Sequence, residues 1–345
     1  MRKLFSVSVI LLLLLALAAC DSTSGPTPPS SSGGENDPTV SQPAVQPDTS
    51  VTVPSTDALH LPELTVELPR SLDTSAARKA MEALPAALEK QNVSVDTVSV
   101  SFGPTYSATV AALQQGTVQL AFLPAEEYVN LGGVNAILAD ALPDETGAFL
   151  TGTCAQLCTS PSAYGTKLAE LAASRSTPLT WNELNEARWG VLDSSSLAGY
   201  RCVRLWLEDN YEDNNVSDLR HVAVYDSWDD LLRAAAAEEI DLFPLPPDTA
   251  ALYESRWNSD FGRSAAFDRE VTPVGMSDGV CTWVAAAAPN DSAVNDPRFV
   301  QALTSAVNSL FSSTAEQAAA IGAEHYAPAS NENLNPLRRL ILSES

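Results

Sequence analysis

Apolar and polar positions follow a strand-helix-strand order through the first half of the chain. The predicted elements are a strand over 64–68, a helix over 77–88 kinked at Pro85, a strand over 93–102, a helix over 106–115 and a strand over 118–123. The strands show the period of two and the helices the period of 3.6. Thr105 is a predicted N-cap and Gly116 a helix end. This alternation predicts a mostly parallel sheet with helices on both faces.

A second series with the same alternation comes next, so the chain is predicted to form two α/β lobes. Its elements are a helix at 181–184, strands at 189–192 and 221–225, a helix over 228–239 and a strand over 240–245. Thr180 and Glu183 have the spacing of a capping box. Residues 271–288 are predicted to return as extended chain, before helices that begin at 297, 315 and 337. The predicted division is lobe 1 over 57–150 and lobe 2 over 151–270. Residues 271–345 are predicted to return through the hinge and to form the C-terminal part of lobe 1.

A serine-rich turn separates the strand at 189–192 from the helix that is predicted to start at Leu197. Ser194, Ser195 and Ser196 place three hydroxyls at a helix start, where unpaired backbone N–H groups and the positive end of the helix dipole also lie. This arrangement predicts a site for a small oxyanion. The simpler alternative is that Ser195 or Ser196 only caps the helix.

The N-terminus is typical of an exported chain. Arg2 and Lys3 precede an apolar stretch over 4–19, which is short for a membrane span. Small residues then lead to Cys20, and this segment resembles a bacterial lipobox, in which the cysteine is lipidated. Residues 1–19 are therefore a predicted signal peptide and 20–56, rich in Ser, Thr, Gly and Pro, a disordered tether. A plain transmembrane anchor is the alternative. The predicted location is extracytoplasmic, anchored to the cell membrane.

The formal net charge of −24 bears on partners. Nucleic acids and anionic membrane surfaces bind basic patches, so neither is an expected partner. Any anionic ligand must be held locally by dipoles and hydroxyls, against the general field of the protein.

Four cysteines besides Cys20 bear on the redox state of the folded body. An even number in an exported chain predicts two disulfides, with three pairings open. A metal site is the weaker alternative, because the three histidines lie far from the Cys-x3-Cys pair. No metal and no cofactor are expected. The four cysteines are Cys154, Cys158, Cys202 and Cys281.

Motifs typical of enzymes are missing from the sequence. It has no Gly-x-Ser-x-Gly elbow, no His-Glu-x-x-His and no phosphate loop with its lysine. No residue near the three serines in sequence would activate one of them as a nucleophile. A non-enzymatic function is predicted.

Several segments together resemble the phosphate/phosphite/phosphonate-binding group of type II periplasmic binding proteins, the substrate-receiving subunits of ABC importers. These segments are Tyr106-Ser107 with Ala112-Leu113 and Gly116, the strand at 118–123 with Tyr128, the helix start at 180–184, the turn at 196–200, and 226–230 with 240–244. The resemblance extends from Leu64 to Leu340. It implies two lobes that close on a ligand about a hinge near residues 145–155 and 270–290. It also implies an ABC permease as partner.

The resemblance also implies site residues, and three positions depart from the family pattern. Leu197 and Ala198 stand where hydroxyls are frequent, Trp228 stands in place of a histidine, and Gln119 replaces an aspartate. Fewer donors and a large apolar face predict weak binding of bare phosphate, and preference for an anion whose organic substituent packs on Trp228. The predicted ligand-binding residues are Ser194, Ser195, Ser196, Tyr106, Trp228, Ser71, Thr74 and Arg201, with Asp226 and Asp241 as candidates for a ligand amine.

The leading hypothesis is therefore a monomeric, membrane-anchored solute-binding protein of an ABC importer that captures a small, phosphonate-like oxyanion between two lobes. The alternative is a surface sensor or other non-transport lipoprotein with the same fold. Neighbouring permease and ATPase genes would favour import, and a receptor kinase gene would favour sensing.

Overall fold

The computed structural model describes residues 58–69, 74–143, 149–212, 214–311, 318–319 and 321–344. The predicted signal peptide and tether, Cys20, Ser71 and much of the helix predicted to begin at 315 lie outside the described residues.

Twelve strands lie in the described part of the chain and form two sheets. In chain order they are β1 Leu59–Pro69, β2 Val93–Gly103, β3 Leu120–Pro124, β4 Asn135–Pro143, β5 Phe149–Thr151, β6 Gln156–Thr159, β7 Trp189–Leu192, β8 Val222–Tyr225, β9 Leu242–Leu245, β10 Thr272–Met276, β11 Trp283–Ala287 and β12 Tyr326–Pro328.

The first sheet has the strand order β12-β4-β11-β3-β1-β2, with β5 paired to β4. Its strands β1, β2 and β3 are mutually parallel, as predicted, whereas β11 is antiparallel to both β3 and β4. The sheet is therefore mixed. Its central strand β11 comes from the C-terminal part of the chain and runs antiparallel to both of its neighbours.

The second sheet has the order β10-β6-β9-β7-β8. Strands β7, β8 and β9 are parallel, and β6 is antiparallel to both β9 and β10. Strand β10 lies inside the range 271–345, which was predicted to form the hinge and the rest of the first lobe. Its pairing with β6 makes Thr272–Met276 a strand of the second sheet.

Helices flank both sheets, which confirms the predicted two-sheet α/β architecture. The helices are α1 Thr74–Glu82, α2 Leu84–Glu89, α3 Tyr106–Gln115, α4 Ala125–Leu131, α5 Ala163–Ser174, α6 Trp181–Glu186, α7 Cys202–Asn210, α8 Trp228–Ala236, α9 Ala250–Trp257, α10 Phe267–Glu270, α11 Pro297–Phe311 and α12 Asn331–Glu344.

Local signals in the sequence set several of these boundaries. Thr105 Oγ1 accepts the N–H of Ala108 at 3.2 Å, and α3 ends at Gly116, whose φ is 73°. Both halves of the predicted capping box at Thr180 and Glu183 are formed. Pro85 lies in the first turn of a new helix, α2, where a proline loses no intrahelical bond.

Two antiparallel chain segments cross between the sheets. Thr153 and Val280 form a bridge in which each N–H donates to the other carbonyl at 2.8 Å. On the side of the first sheet, Gly152 N donates to the carbonyl of Asp140 at 2.9 Å. The two segments are therefore hydrogen-bonded to each other where they cross, and we call the paired segments around Thr153 and Val280 the crossing ribbon.

An apolar cluster continues through this crossing. It contains Leu123 and Val284 from the first sheet, Leu157 and Val191 from the second, and Val280 between them. All five side chains are almost fully buried. The two sheets therefore share one core at the crossing, while each has a further cluster of its own.

The C-terminal helix α12 is joined to α7, the helix that comes after the serine turn. Leu337 and Leu340 of α12 belong to the same apolar cluster as α7. At the margin of the cluster, Arg339 pairs with Asp209 at 2.6 Å, and Arg204 donates to Ser343 Oγ at 2.6 Å.

Among the described residues, no helix combines the length and the apolar character that crossing a membrane requires.

Candidate ligand-binding site

The predicted ligand residues of the second sheet lie after two neighbouring parallel strands. Strand β7 ends at Leu192 and β8 at Tyr225, and these two residues are paired in register. The serine turn after β7 and the start of α8 after β8 therefore leave the sheet side by side. Carboxyl edges of parallel strands are the usual location of ligands in α/β sheets.

The serine turn begins a continuous helical segment. Ser196 Oγ accepts the N–H of Gly199 at 3.1 Å, and its carbonyl accepts those of Tyr200 and Arg201, each at 3.1 Å. The segment starts as a wide π-turn over Leu197–Arg201 and continues as α7. Ser196 is thus the N-cap, and the first N–H groups, those of Leu197 and Ala198, point away from the helix's own carbonyls.

Asp193 also takes part in this turn, which the sequence had not led us to predict. Its Oδ1 accepts the N–H of Ser195 at 2.9 Å. Hydrogen bonds from the backbone and hydroxyl of Ser195 hold the pKa of Asp193 below its ordinary value, with a further contribution from the Ser194 backbone. An Asp followed by serines is typical of this turn. Part of the donor set that we assigned to a ligand is therefore occupied by the protein's own carboxylate.

Trp228 is the first residue of α8, on the neighbouring strand end. Ser227 caps the helix by accepting the N–H of Asp230 at 3.2 Å. The indole is partly buried and packs against the apolar cluster of the second sheet. Asp229 is held by Arg256 through two bonds of 2.9 and 2.6 Å, which fixes the first turn of α8. Trp228 thus lies on an anchored helix start beside the serine turn and is still partly accessible.

The remaining predicted contacts are less completely described. Tyr106 is partly buried at the start of α3, after the carboxyl end of β2, and packs against the apolar cluster that both sheets share. Thr74 begins α1, and Arg201 is partly buried at the end of the π-turn. Ser71 lies outside the described residues.

Asp241 is structural, so the hypothesis that it receives a ligand amine is wrong. It lies before β9, at the sheet edge opposite the serine turn. It accepts two side-chain bonds from Arg188, at 3.0 and 2.6 Å, and one from Ser162 at 2.6 Å. Burial alone would raise the pKa of Asp241, but these hydrogen bonds outweigh it and lower the pKa. Every oxygen of this carboxylate already has a partner.

The sequence predicts two disulfides among four cysteines. In this structure Cys154, Cys158, Cys202 and Cys281 are all buried thiols. Cys158 lies in the apolar cluster of the second sheet, whereas Cys281 contacts the carbonyl of Trp283 at 3.2 Å at the start of β11. Cys158 and Cys281 therefore lie in different parts of the fold.

Two cavities in the described structure lie away from the predicted contacts. One of 390 Å³ is at the end of α3, around Gln114 and Asp291, and one of 460 Å³ lies between α4 and α12, around Tyr128 and Arg338. Neither is lined by a predicted ligand residue. In the described ranges, no group of three or more His, Cys, Asp or Glu side chains is arranged to hold a metal ion.

The described chain thus forms two α/β sheets joined by crossing segments, with helices that begin at the carboxyl edges of the strands. A family model described as "ABC transporter, phosphonate, periplasmic substrate-binding protein" matches residues 70–334. The chain belongs to this family. Its members are extracytoplasmic proteins that bind a small ligand and work with a membrane permease, and the family is not a class of enzymes.

Solved structures with a similar arrangement are distant in sequence. The phosphonate-transporter binding protein PA3383 of Pseudomonas aeruginosa is 14% identical, with 82% of this chain and 86% of that chain covered and a TM-score of 0.36. PhnD1 of Prochlorococcus marinus, in complex with methylphosphonate, is 12% identical over 82% and 98% of the two chains, with a TM-score of 0.34. XAC2383 of Xanthomonas citri, bound to ATP, is 14% identical over 81% and 96%, with a TM-score of 0.39. No curated protein sequence matches the chain.

Proposed function

We propose that the protein captures a small organic oxyanion, of the phosphonate class, at the serine turn and delivers it to an ABC permease. The observation that carries this proposal is the register of β7 and β8. Because Leu192 and Tyr225 are paired, the segments with Ser194, Ser195 and Ser196 and with Trp228 both follow the same sheet edge, which supports a shared site. The hydroxyls and the N–H groups of the helix start can donate hydrogen bonds to the oxyanion, and the indole can pack against an organic substituent.

Asp193 supports the preference for an organic ligand over bare phosphate. Its carboxylate is exposed and hydrogen-bonded to the turn that would hold the anion. A ligand with two negative charges meets like-charge repulsion there and must compete for the same donors. A ligand with lower net charge and an apolar group meets less repulsion and gains contact with Trp228.

Titration calorimetry with phosphate, phosphite, methylphosphonate and 2-aminoethylphosphonate tests the ligand class. The two organic phosphonates should bind more tightly than phosphate. Ser196→Ala should weaken phosphonate binding about 10- to 150-fold, since a hydrogen bond to a charged acceptor contributes about 1.5–3 kcal/mol. Thr180→Ala is the matched control, because it removes an equivalent N-cap outside the proposed site. Failure of all four anions to bind would contradict the proposal.

Trp228→Ala should reduce the preference for organic phosphonates while changing phosphate binding little. Loss of packing against one small apolar group corresponds to about 1–3 kcal/mol, or about 5- to 150-fold in affinity. Trp181→Ala is the matched control, since Trp181 is also a partly buried tryptophan that directly follows an N-cap. Tight phosphate binding that Trp228→Ala leaves unchanged would show that the indole does not select the ligand.

We also propose that the protein is held at the membrane by lipidation of Cys20. The support is the charged, apolar and small-residue order of residues 2–20. Cys20→Ala should remain unprocessed and should not incorporate labelled fatty acid, whereas Cys158→Ala should behave as the parent. A processed, lipid-labelled Cys20→Ala protein would show that the anchor lies elsewhere.

A further inference from the structure

Cys154 and Cys202 come together at the crossing between the sheets. Cys154 directly follows Thr153, which forms the bridge to Val280. Cys202 is the first residue of α7, six positions after the capping serine of the proposed ligand site. The sulfur of Cys202 lies 3.6 Å from the carbonyl oxygen of Thr153, the residue next to Cys154.

Ser277 holds the other side of this contact. Its hydroxyl accepts the N–H of Ala155 at 2.9 Å and donates to the carbonyl of Asp278 at 3.0 Å, and the Ser277 side chain also acts to lower the pKa of Cys202. Ser277 is therefore close to Cys202 and is bonded to the backbone of the residue that follows Cys154.

The two thiols also interact electrostatically. Burial raises the pKa of Cys202 to about 12, and the neighbouring Cys154 contributes to this rise. Cys154 is 2% and Cys202 0% exposed, so both residues are buried.

The other two cysteines have different partners. Cys158 packs in the apolar cluster of the second sheet with Leu231 and Phe243, on the opposite face from Leu157. Cys281 follows Val280 and belongs to the same apolar cluster as Cys202, but its thiol donates to the carbonyl of Trp283 at 3.2 Å. The Cys281 thiol is therefore engaged at the start of β11, whereas the Cys202 thiol contacts Thr153.

We propose that Cys154 and Cys202 form a disulfide in the exported protein, while Cys158 and Cys281 remain thiols. The oxidant is a disulfide compound outside the cytoplasm. One cysteine thiolate attacks it and releases its first thiol, and the second cysteine then attacks the mixed disulfide and releases the other thiol. Two electrons and two protons leave the pair, and one S–S bond forms. The bond would fasten the helix of the serine turn to the crossing ribbon.

Peptide mapping of the full chain, purified from its host, tests this assignment. Free thiols are alkylated under denaturing, non-reducing conditions, and each cysteine is then followed in its own peptide, so Cys20 does not interfere. The expected result is alkylated Cys158 and Cys281 and one cross-linked peptide pair that contains Cys154 and Cys202. Cross-links to Cys158 or Cys281, or four alkylated cysteines even after incubation with oxidised glutathione, would overturn the proposal.

Two variants sharpen the result. Cys202→Ser should convert Cys154 into an alkylated residue and produce no new cross-link, while Cys158→Ser should leave the Cys154–Cys202 pair intact. If Cys202→Ser fails to fold, the map of the parent protein still decides between the outcomes. The assignment does not depend on which ligand the protein binds, so failure of either proposal leaves the other standing.

Discussion

Replacing Gly152 by alanine is expected to lower the free energy of unfolding by about 2–5 kcal/mol, through damage to the crossing between the sheets. A Cβ at this position would lie 1.9 Å from the carbonyl oxygen of Val280 and 2.7 Å from the backbone nitrogen of Cys281. Backbone atoms must move apart to admit it, which typically costs about 1–3 kcal/mol. The φ of +61° adds about 1–2 kcal/mol for a residue with a Cβ.

Gly262→Ala is the matched control for Gly152→Ala. Gly262 has a similar φ of +73°, but no atom lies within 4 Å of its added Cβ. Gly262→Ala should therefore lose only the stability that a left-handed backbone conformation costs a residue with a Cβ. It should be clearly more stable than Gly152→Ala in urea denaturation. Equal losses would mean that the close approach at Val280 relaxes without cost, and that the ribbon is looser than its hydrogen bonds indicate.

Replacing Asp241 by alanine should destabilise the protein by about 1–3 kcal/mol, because it leaves buried hydrogen-bond donors without their acceptor. The Asp241 side chain is 3% exposed and accepts bonds from the Ser162 hydroxyl and the Arg188 backbone N–H. The Arg188 side chain is 47% exposed, so water can solvate its charge when the carboxylate is removed. Asp229→Ala is the control: Asp229 also holds an arginine through two bonds, but it is 43% exposed, so its removal should have a far smaller effect.

The effect of Asp241→Ala should depend on pH in a direction set by the lowered pKa of the carboxyl. A carboxyl whose pKa is lower in the folded state than in the unfolded state stabilises the folded protein most at pH values above its ordinary pKa of 3.8. This contribution is lost as the pH falls through the folded-state pKa. The difference in stability between parent and variant should be constant near neutral pH and shrink below about pH 4. A difference that persists in strong acid would assign the effect to packing instead.

Features of the fold that depend on neighbouring residues in sequence were predictable. The caps at Thr105, Thr180 and Ser196 each satisfy an N–H within three residues, so their pattern is visible without the fold. Strand β4 was missed for the opposite reason. It is covered on both faces and shows no alternation. It also carries a buried polar side chain, Asp140, which accepts hydrogen bonds from Thr282, far away in sequence.

The candidate site was predictable in position but not in the use of its donors. Parallel strands place the serine turn after β7 and the helix start after β8 at one edge, as the sequence order already indicates. The hydroxyls of Ser194, Ser195 and Ser196 are visible in the sequence, whereas the role of Asp193 as an acceptor within the turn depends on how the backbone folds. The cysteines show the same limit, because their number is a property of composition, whereas pairing depends on the three-dimensional position of each sulfur.

The strand order of the first sheet also determines when that sheet is completed as the chain emerges during synthesis or export. Strand β11 lies between β3 and β4, yet it comes after all five strands of the second sheet in sequence. Until β11 is present, β3 and β4 each have an unpaired edge, and the pairing of β4 is limited to β5. The second sheet has all of its strands by Met276. The half of the molecule that emerges first is therefore the half that is finished last.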